Sequence, residues 1–261
     1  MRTFAIVNMK GGVGKTTTAI NLAYLLATEY QQRVLLVDAD GQRNATRTLL
    51  AEPSHDGLAA LLEGMVGCYD EVIEPTDMEN LDMIPASSAL WRVDLNSAMG
   101  RGPAGAFNAL RDLRDNVVED DSYDVMIIDC PPCFSAACIS AISAADSIII
   151  PMGIDAYSAE GMADLVEQID GVREIHPEIR VAGCLITQWH KCDVADDAIE
   201  YIRDVAPVPV FQNMIRRTDK VLESTWAKSS VLAWSPQCSA ARDYRAWVRE
   251  LVTKEALVGG R

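Results

Sequence analysis

The sequence predicts an α/β fold: a doubly wound, mainly parallel sheet with helices on both faces. Three observations carry this. Short Val- and Ile-rich runs recur at 4–7, 34–37, 81–84, 125–128, 147–151 and 181–187, with 208–211 as a further candidate. Each run is continuously apolar, the pattern of a strand covered on both faces rather than one with a wet side. Between the runs lie amphipathic helical patterns at 16–30, 57–62, 104–118, 136–144, 159–175, 195–205, 220–228 and 239–256. Strands that alternate with helices pair in parallel through crossovers. No Ser/Gly-rich or Pro-rich linker, repeat or low-complexity tract interrupts the alternation, so residues 1–261 read as a single domain.

Composition agrees: 49% of the 261 residues are hydrophobic and 23% charged, enough to bury a sizeable core and incompatible with disorder over most of the length. The net charge of −15 opposes casual binding to nucleic acid or anionic lipid. That charge is unevenly spread. Residues 1–199 carry −18 and residues 200–261 carry +3, so a nucleic-acid surface is expected only in the C-terminal fifth. Seven cysteines are scattered without the spacing of a disulfide scaffold, and Met1-Arg2 leads directly into the first apolar run without a secretory leader. The most apolar internal run, 147–154, is far shorter than the roughly 20 residues that span a bilayer. These features predict a cytoplasmic protein with reduced thiols.

The first strand is followed by Lys10-Gly11-Gly12-Val13-Gly14-Lys15-Thr16-Thr17, and Thr16 opens the first helix. Glycines let the backbone wrap closely around phosphate oxygens, so that successive N–H groups and a helix N-terminus point at the anion. Lys15 supplies a charge to the outer phosphates and the Thr16 hydroxyl suits magnesium. Gly11, Gly12, Val13, Gly14, Lys15, Thr16 and Thr17 are therefore the expected nucleotide-binding residues. The strict phosphate-loop pattern would place Gly at position 9, where the chain has Met9, and Lys10 precedes Lys15 by five residues.

This loop resembles the deviant Walker A motif of the ParA/MinD family of ATPases, and the likeness extends to about residue 250. The resemblance implies a P-loop NTPase architecture, ATP and magnesium as cofactors, and a homodimer formed around ATP. In that dimer the first lysine of the motif, Lys10 here, reaches the phosphates held by the other subunit.

After the second strand come Asp38-Ala39-Asp40-Gly41-Gln42-Arg43-Asn44-Ala45-Thr46. Two carboxylates at the carboxyl end of a parallel strand lie in the crevice where open α/β sheets bind ligands, one suited to magnesium and one to orienting a water for attack on the γ-phosphate. The family's version reads Asp-x-Asp-Pro-Gln-Gly-Asn-Ala-Thr, and the resemblance gives Asp40 the hydrolytic role and Asp38 a supporting one at the metal. Gly41 replaces the family's proline, which removes a fixed φ beside Asp40, and Arg43 replaces its glycine. Both departures leave open a switch that hydrolyses slowly.

The apolar strand at 125–128 ends on Asp129, which reads as the carboxylate delivered to the magnesium shell. Asp129-Cys130-Pro131-Pro132 resembles the family's Asp-Thr-Pro-Pro. With Cys133 it also forms a C-x-x-C, which leaves a redox or iron–sulfur role as a rival to two small buried hydrophobes; no second such pair follows. His55, His176 and His190 form no metal-ligand or triad spacing and read as surface residues.

The segment from Pro151 to Gly161 resembles the family stretch leading to a helix at the dimer interface, with Asp155 in the place of a common Glu. The stretch Ile215-Arg216-Arg217-Thr218 resembles Ile-Pro-Arg-Asn, near the adenine in ParA-like proteins, so Arg217 is an expected nucleotide contact. Lys220 sits where the family places a cation for non-specific DNA. Arg242, Arg245 and Arg249, at i, i+3 and i+7, share one helical face and, with Lys228, extend that surface. Asp243, Glu223 and Glu250 lie close enough in sequence to neutralise part of it.

The family reading is thus a slow, partner-stimulated ATPase that partitions DNA through non-specific binding and a centromere-binding activator, associated with the nucleoid when ATP-bound. A MinD-like membrane role is the alternative, disfavoured because the tail from 251 to 261 has only Lys254 and Arg261 as cations and no bulky aromatic face. The chain starts at its first strand, so the helix-turn-helix domain of longer ParA types is not expected.

Overall fold

The computed structural model describes residues 1–257 except 104, 156 and 157, with the backbone alone of 158–160. The expected helix start at 104, part of the segment from Pro151 to Gly161, and the tail cation Arg261 lie outside the described residues. The elements in chain order are β1 (Arg2–Ile6), α1 (Lys15–Thr28), β2 (Val34–Asp38), α2 (Asn44–Leu49), α3 (Leu58–Leu62), a 3-10 turn (Tyr69–Val72), β3 (Glu74–Pro75), β4 (Leu81–Ile84), α4 (Ala89–Ala98), α5 (Ala109–Glu119), β5 (Val125–Asp129), α6 (Ala136–Ala144), β6 (Ser147–Met152), α7 (Ser158–Arg173), β7 (Arg180–Ile186), α8 (Ala195–Val205), α9 (Asp219–Trp226), α10 (Val231–Trp234) and α11 (Ser239–Glu255).

The strands form one sheet in the order β3-β4-β2-β5-β1-β6-β7. Only the short edge pair β3–β4 is antiparallel; the other pairs are parallel. Successive side chains of a strand point to opposite faces, and here both faces are dry. Leu35, Val37, Met126 and Ile128 pack in one core with residues of α3, α4, α5, α6 and α7. Val34, Leu36, Val125 and Ile127 pack in another, against α1, α10 and α11. The second layer is pinned by Trp247 of α11, which meets Phe211 and Tyr244 edge-on, with ring centroids 5.9 and 6.2 Å apart.

The 208–211 run is not a strand of the sheet. It lies beside β7 through one parallel bridge between Cys184 and Val210, with bonds from Cys184 N to Pro209 O (2.7 Å) and from Phe211 N to Cys184 O (2.9 Å). Pro207 and Pro209 lack the N–H groups that would extend the ladder. Three short helices, α2, α4 and α10, fall where no helical periodicity stands out. The sheet order puts β1 between β5 and β6, so the carboxyl ends of β1, β2 and β5 meet at the centre of one edge.

Candidate nucleotide and magnesium site

The loop after β1 is shaped by two glycines in left-handed backbone, Gly12 (φ +74°) and Gly14 (φ +86°), a conformation that costs most other residues about 1 kcal/mol or more. Gly14 is the N-cap of α1, and no side chain caps the helix. The first amides of α1 therefore remain available to an anion at the positive end of the helix. A side chain at Gly11 or Gly12 would meet nothing within 4 Å, so the loop is open on the side a phosphate would approach. Its other side is tied down. Thr187 Oγ1 donates to Val13 O (2.7 Å), the Gln188 amide donates to Gly12 O, and Asn8 Oδ1 accepts from Lys10 N (2.9 Å).

Lys15 is buried, and its ammonium donates to Lys10 O at 2.9 Å, folding the side chain back over the loop. Burial lowers its pKa, opposed by the nearby Asp129 and Asp40 carboxylates and the Cys130 thiol. Lys10 points the other way: it is half-exposed and forms an ion pair with Asp155 after β6.

Parallel register between β2 and β5 sets Asp38 opposite Asp129. Both are completely buried. The Thr46 N–H and hydroxyl each donate to Asp38 Oδ2 at 2.8 Å, and Asp40 N donates to Oδ1 at 3.1 Å. Burial still pushes Asp38 up to about 6 against these bonds. Asp129 is raised well above the carboxylate range, first by burial and then by Asp38, while the adjacent Thr16 hydroxyl and Lys15 pull it down. Neither oxygen of Asp129 completes a hydrogen bond. A buried, unpartnered carboxylate beside a threonine hydroxyl, at the mouth of a phosphate loop, is an unsatisfied hard oxygen donor set that a magnesium ion fits. Thr16 and Asp129 are free to coordinate; Asp38, with both oxygens engaged, adds charge next to them.

Asp40 is half-buried at the edge of the crevice. Its Oδ1 accepts from Gln42 N (2.9 Å) and its carbonyl from Arg43 N (2.8 Å). Arg43 holds a left-handed backbone (φ +61°) as N-cap of α2, which is the physical reason a glycine suits this position. From Gly14 and Thr17 a cavity of about 260 Å³ runs outward past Thr187, Ile215, Arg217 and Leu222. It is walled by apolar and polar groups together, as a nucleoside requires.

An AAA domain family model matches residues 1–181. The chromosome partitioning protein ParA of Caulobacter vibrioides is 30% identical over 263 residues, covering 98% of this chain and 95% of the relative. The chromosome-partitioning ATPase Soj of Thermus thermophilus is 32% identical, covering 97% and 96%. The chain belongs to the ParA/MinD family. Among solved structures, that of cobyrinic acid a,c-diamide synthase from Mycobacterium smegmatis with bound ATP analog and magnesium superposes with a TM-score of 0.83 at 27% identity, covering 100% of this chain and 97% of that one.

Within a ParA-type scaffold the remaining residues sort clearly. Cys130 is buried and Cys133 exposed. Burial raises both thiols, with Cys138 adding to the shift, the reverse of an activated redox pair. Among the described residues no three His, Cys, Asp or Glu side chains are grouped to hold a metal. The expected basic surface is partly neutralised. Lys220 pairs with Glu223 (2.8 Å), Arg245 with Glu29 (2.6 Å) and Arg216 with Asp243 (2.6 Å). Arg242 and Arg249 stay exposed along one face of α11. Sequence reading missed Arg47. With Lys228, Asn44, Thr48 and Thr225 it lines a cavity of about 390 Å³ that reaches Thr16 and Thr17 at the start of α1. Its only sequence signal was a lone cation just after the Asp38–Thr46 motif. No helix among the described residues is long and apolar enough to cross a membrane.

Proposed function

We propose that this chain is a magnesium-dependent ATPase of the ParA type that dimerises around ATP and positions DNA. The observation that carries the reading is the buried, unpartnered Asp129 carboxylate beside Thr16, opposite Asp38, at the mouth of an uncapped glycine-rich helix start. Phosphate oxygens are held by the amides of Gly11 to Thr17 and by Lys15, whose retreat from Lys10 O frees its charge for the outer phosphates. Thr16 and Asp129 would hold magnesium, which when bound would supply positive charge beside the phosphates. Asp40 orients the attacking water and accepts its proton as the water oxygen bonds to the γ-phosphorus and the bond from that phosphorus to the β-phosphate's bridging oxygen breaks, releasing ADP. Arg217 borders the nucleoside. Lys10 exchanges Asp155 for the nucleotide of a second subunit, which makes the dimer ATP-dependent.

The names of the relatives support chromosome partitioning as the task; a centromere-binding activator as partner and a place in the cytoplasm and on the nucleoid are what the ParA resemblance implies. Exposed Arg242 and Arg249 on α11 support a phosphate-backbone contact with DNA, doubled by dimerisation. The test is threefold: magnesium-dependent phosphate release, light-scattering mass with and without ATP, and anisotropy of a random DNA duplex at low salt. Turnover abolished by Asp40→Ala, a mass doubled by ATP and duplex binding only in the ATP state are the expected results. Turnover unchanged in Asp40→Ala overturns the catalytic assignment, and duplex binding independent of nucleotide overturns the DNA reading.

A further inference from the structure

Gly41 follows Asp40 and is buried. Its backbone does not occupy the left-handed region that demands glycine. The constraint comes from a neighbour: a methyl group on Gly41 would lie 2.5 Å from Nε1 and 2.9 Å from Cδ1 of Trp91. The indole therefore rests directly on the Gly41 backbone. Trp91 stands in the first turn of α4, a helix anchored to the core by the buried Leu90 and Val93. One turn on, Asp94 Oδ1 accepts from Ala136 N at 3.0 Å, at the start of α6. That helix follows the Asp129-Cys130-Pro131-Pro132-Cys133 loop. Residues three apart lie on one side of a helix, so a single side of α4 touches both the loop carrying Asp40 and the helix behind Asp129.

We propose that Trp91 is a positioning residue for Asp40, and that α4 is the strut that couples the two carboxylate loops that follow β2 and β5. The indole holds by contact what a proline at position 41 would hold by its fixed φ. Gly41 and Trp91 form a complementary pair: the missing side chain makes the space the ring fills.

This inference rests on Asp40 as the residue that orients water, so its test has one arm that needs turnover and one that does not. In the first, Trp91→Ala lowers kcat about tenfold while KM and the affinity for a fluorescent ATP analogue stay within about twofold. Gly41→Ala shows the same loss, and Gly41→Ala combined with Trp91→Ala is no worse than Trp91→Ala alone, because the clash is gone. In the second arm, Trp91 emission, isolated as wild type minus Trp91→Phe, shifts when a non-hydrolysable ATP analogue and magnesium are added. The shift is absent in Gly41→Ala. A Gly41→Ala defect of equal size with and without Trp91, or Trp91 emission blind to nucleotide, overturns the proposal. Wild type without turnover under any condition overturns the hydrolytic reading instead, and the emission arm then decides this one.

Discussion

Asp38 and Asp129 face each other in register at the carboxyl ends of β2 and β5, both completely buried. Two carboxylates so placed cannot both be charged without a cation between or beside them. Asp129, with no hydrogen bond of its own, carries most of the cost. Asp129→Asn is expected to raise the melting temperature of the metal-free protein by about 2–4 °C, corresponding to roughly 1 kcal/mol for a chain of this size, and to abolish the stabilisation that magnesium and ATP give the wild type. Differential scanning fluorimetry with and without magnesium-ATP checks both. A variant destabilised without metal, or still protected by it, contradicts the assignment.

The same pair sets a pH dependence. In the folded chain Asp38 is raised to about 6 and Asp129 is also raised, well above the carboxylate range, whereas an unfolded aspartate titrates at about 3.9. Raised folded values mean that the native state binds more protons, so the stability contributed is full below pH about 4 and is lost as pH climbs through about 6. Magnesium requires the deprotonated carboxylates, so its affinity moves the opposite way and strengthens over that window. Melting curves of metal-free wild type against Asp38→Asn should diverge between about pH 4 and 6, the window set by the titration above. Calorimetric titration of magnesium with ADP should show tighter binding at the upper end. Parallel curves, or tighter metal binding at low pH, contradict this.

Lys10 is held by Asp155 within its own chain, yet its proposed task lies across the dimer. The pair is exposed on both sides, and such pairs are worth about 0–1 kcal/mol, so dimerisation releases the lysine at small cost. Asp155→Asn is expected to tighten the ATP-dependent dimer by up to about fivefold. Lys10→Ala should leave the affinity for ADP within about twofold and remove the ATP-dependent dimer. Sedimentation velocity at graded concentrations measures both. A weaker dimer in Asp155→Asn shows that Asp155 serves the interface itself.

Most of the fold was legible because its signals are local. Continuous apolar runs marked β1, β2, β4, β5, β6 and β7 to within about two residues, and Gly14-Lys15-Thr16 marked the start of α1. What was not legible depends on which distant residues meet. That Asp38 sits opposite Asp129 is a matter of register between strands 91 positions apart. The α4 helix escaped notice because Trp91 and Leu95 stay exposed, which blurs the apolar stripe that reveals a helix. The neutralisation of Lys220 by Glu223 was visible at i, i+3, but that of Arg245 by Glu29 crosses 216 positions and needed the α1–α11 packing.

That last pairing decides how the proposed DNA surface should respond to mutation. A cation already bonded to a carboxylate releases few counterions on meeting a phosphate, whereas a solvated arginine releases nearly one. Arg242 and Arg249 are exposed on one α11 face, and Arg47 and Lys228 line one cavity together, while Lys220 and Arg245 are paired. Arg242→Ala and Arg249→Ala should each weaken duplex binding by ATP-loaded protein and flatten the plot of log affinity against log salt by about 0.9 for every phosphate that each subunit no longer neutralises. Arg47→Ala and Lys228→Ala test whether the cavity extends the same surface. Lys220→Ala and Arg245→Ala should change the slope by less than half as much, because Glu223 and Glu29 already neutralise these cations and the phosphates keep nearly all of their partners. Anisotropy with a labelled duplex from about 25 to 200 mM salt resolves these slopes. A larger effect at Lys220 than at Arg249 would place the contact on α9 instead, and equal slopes in all the α11 variants would overturn the role given to the Arg245–Glu29 pair.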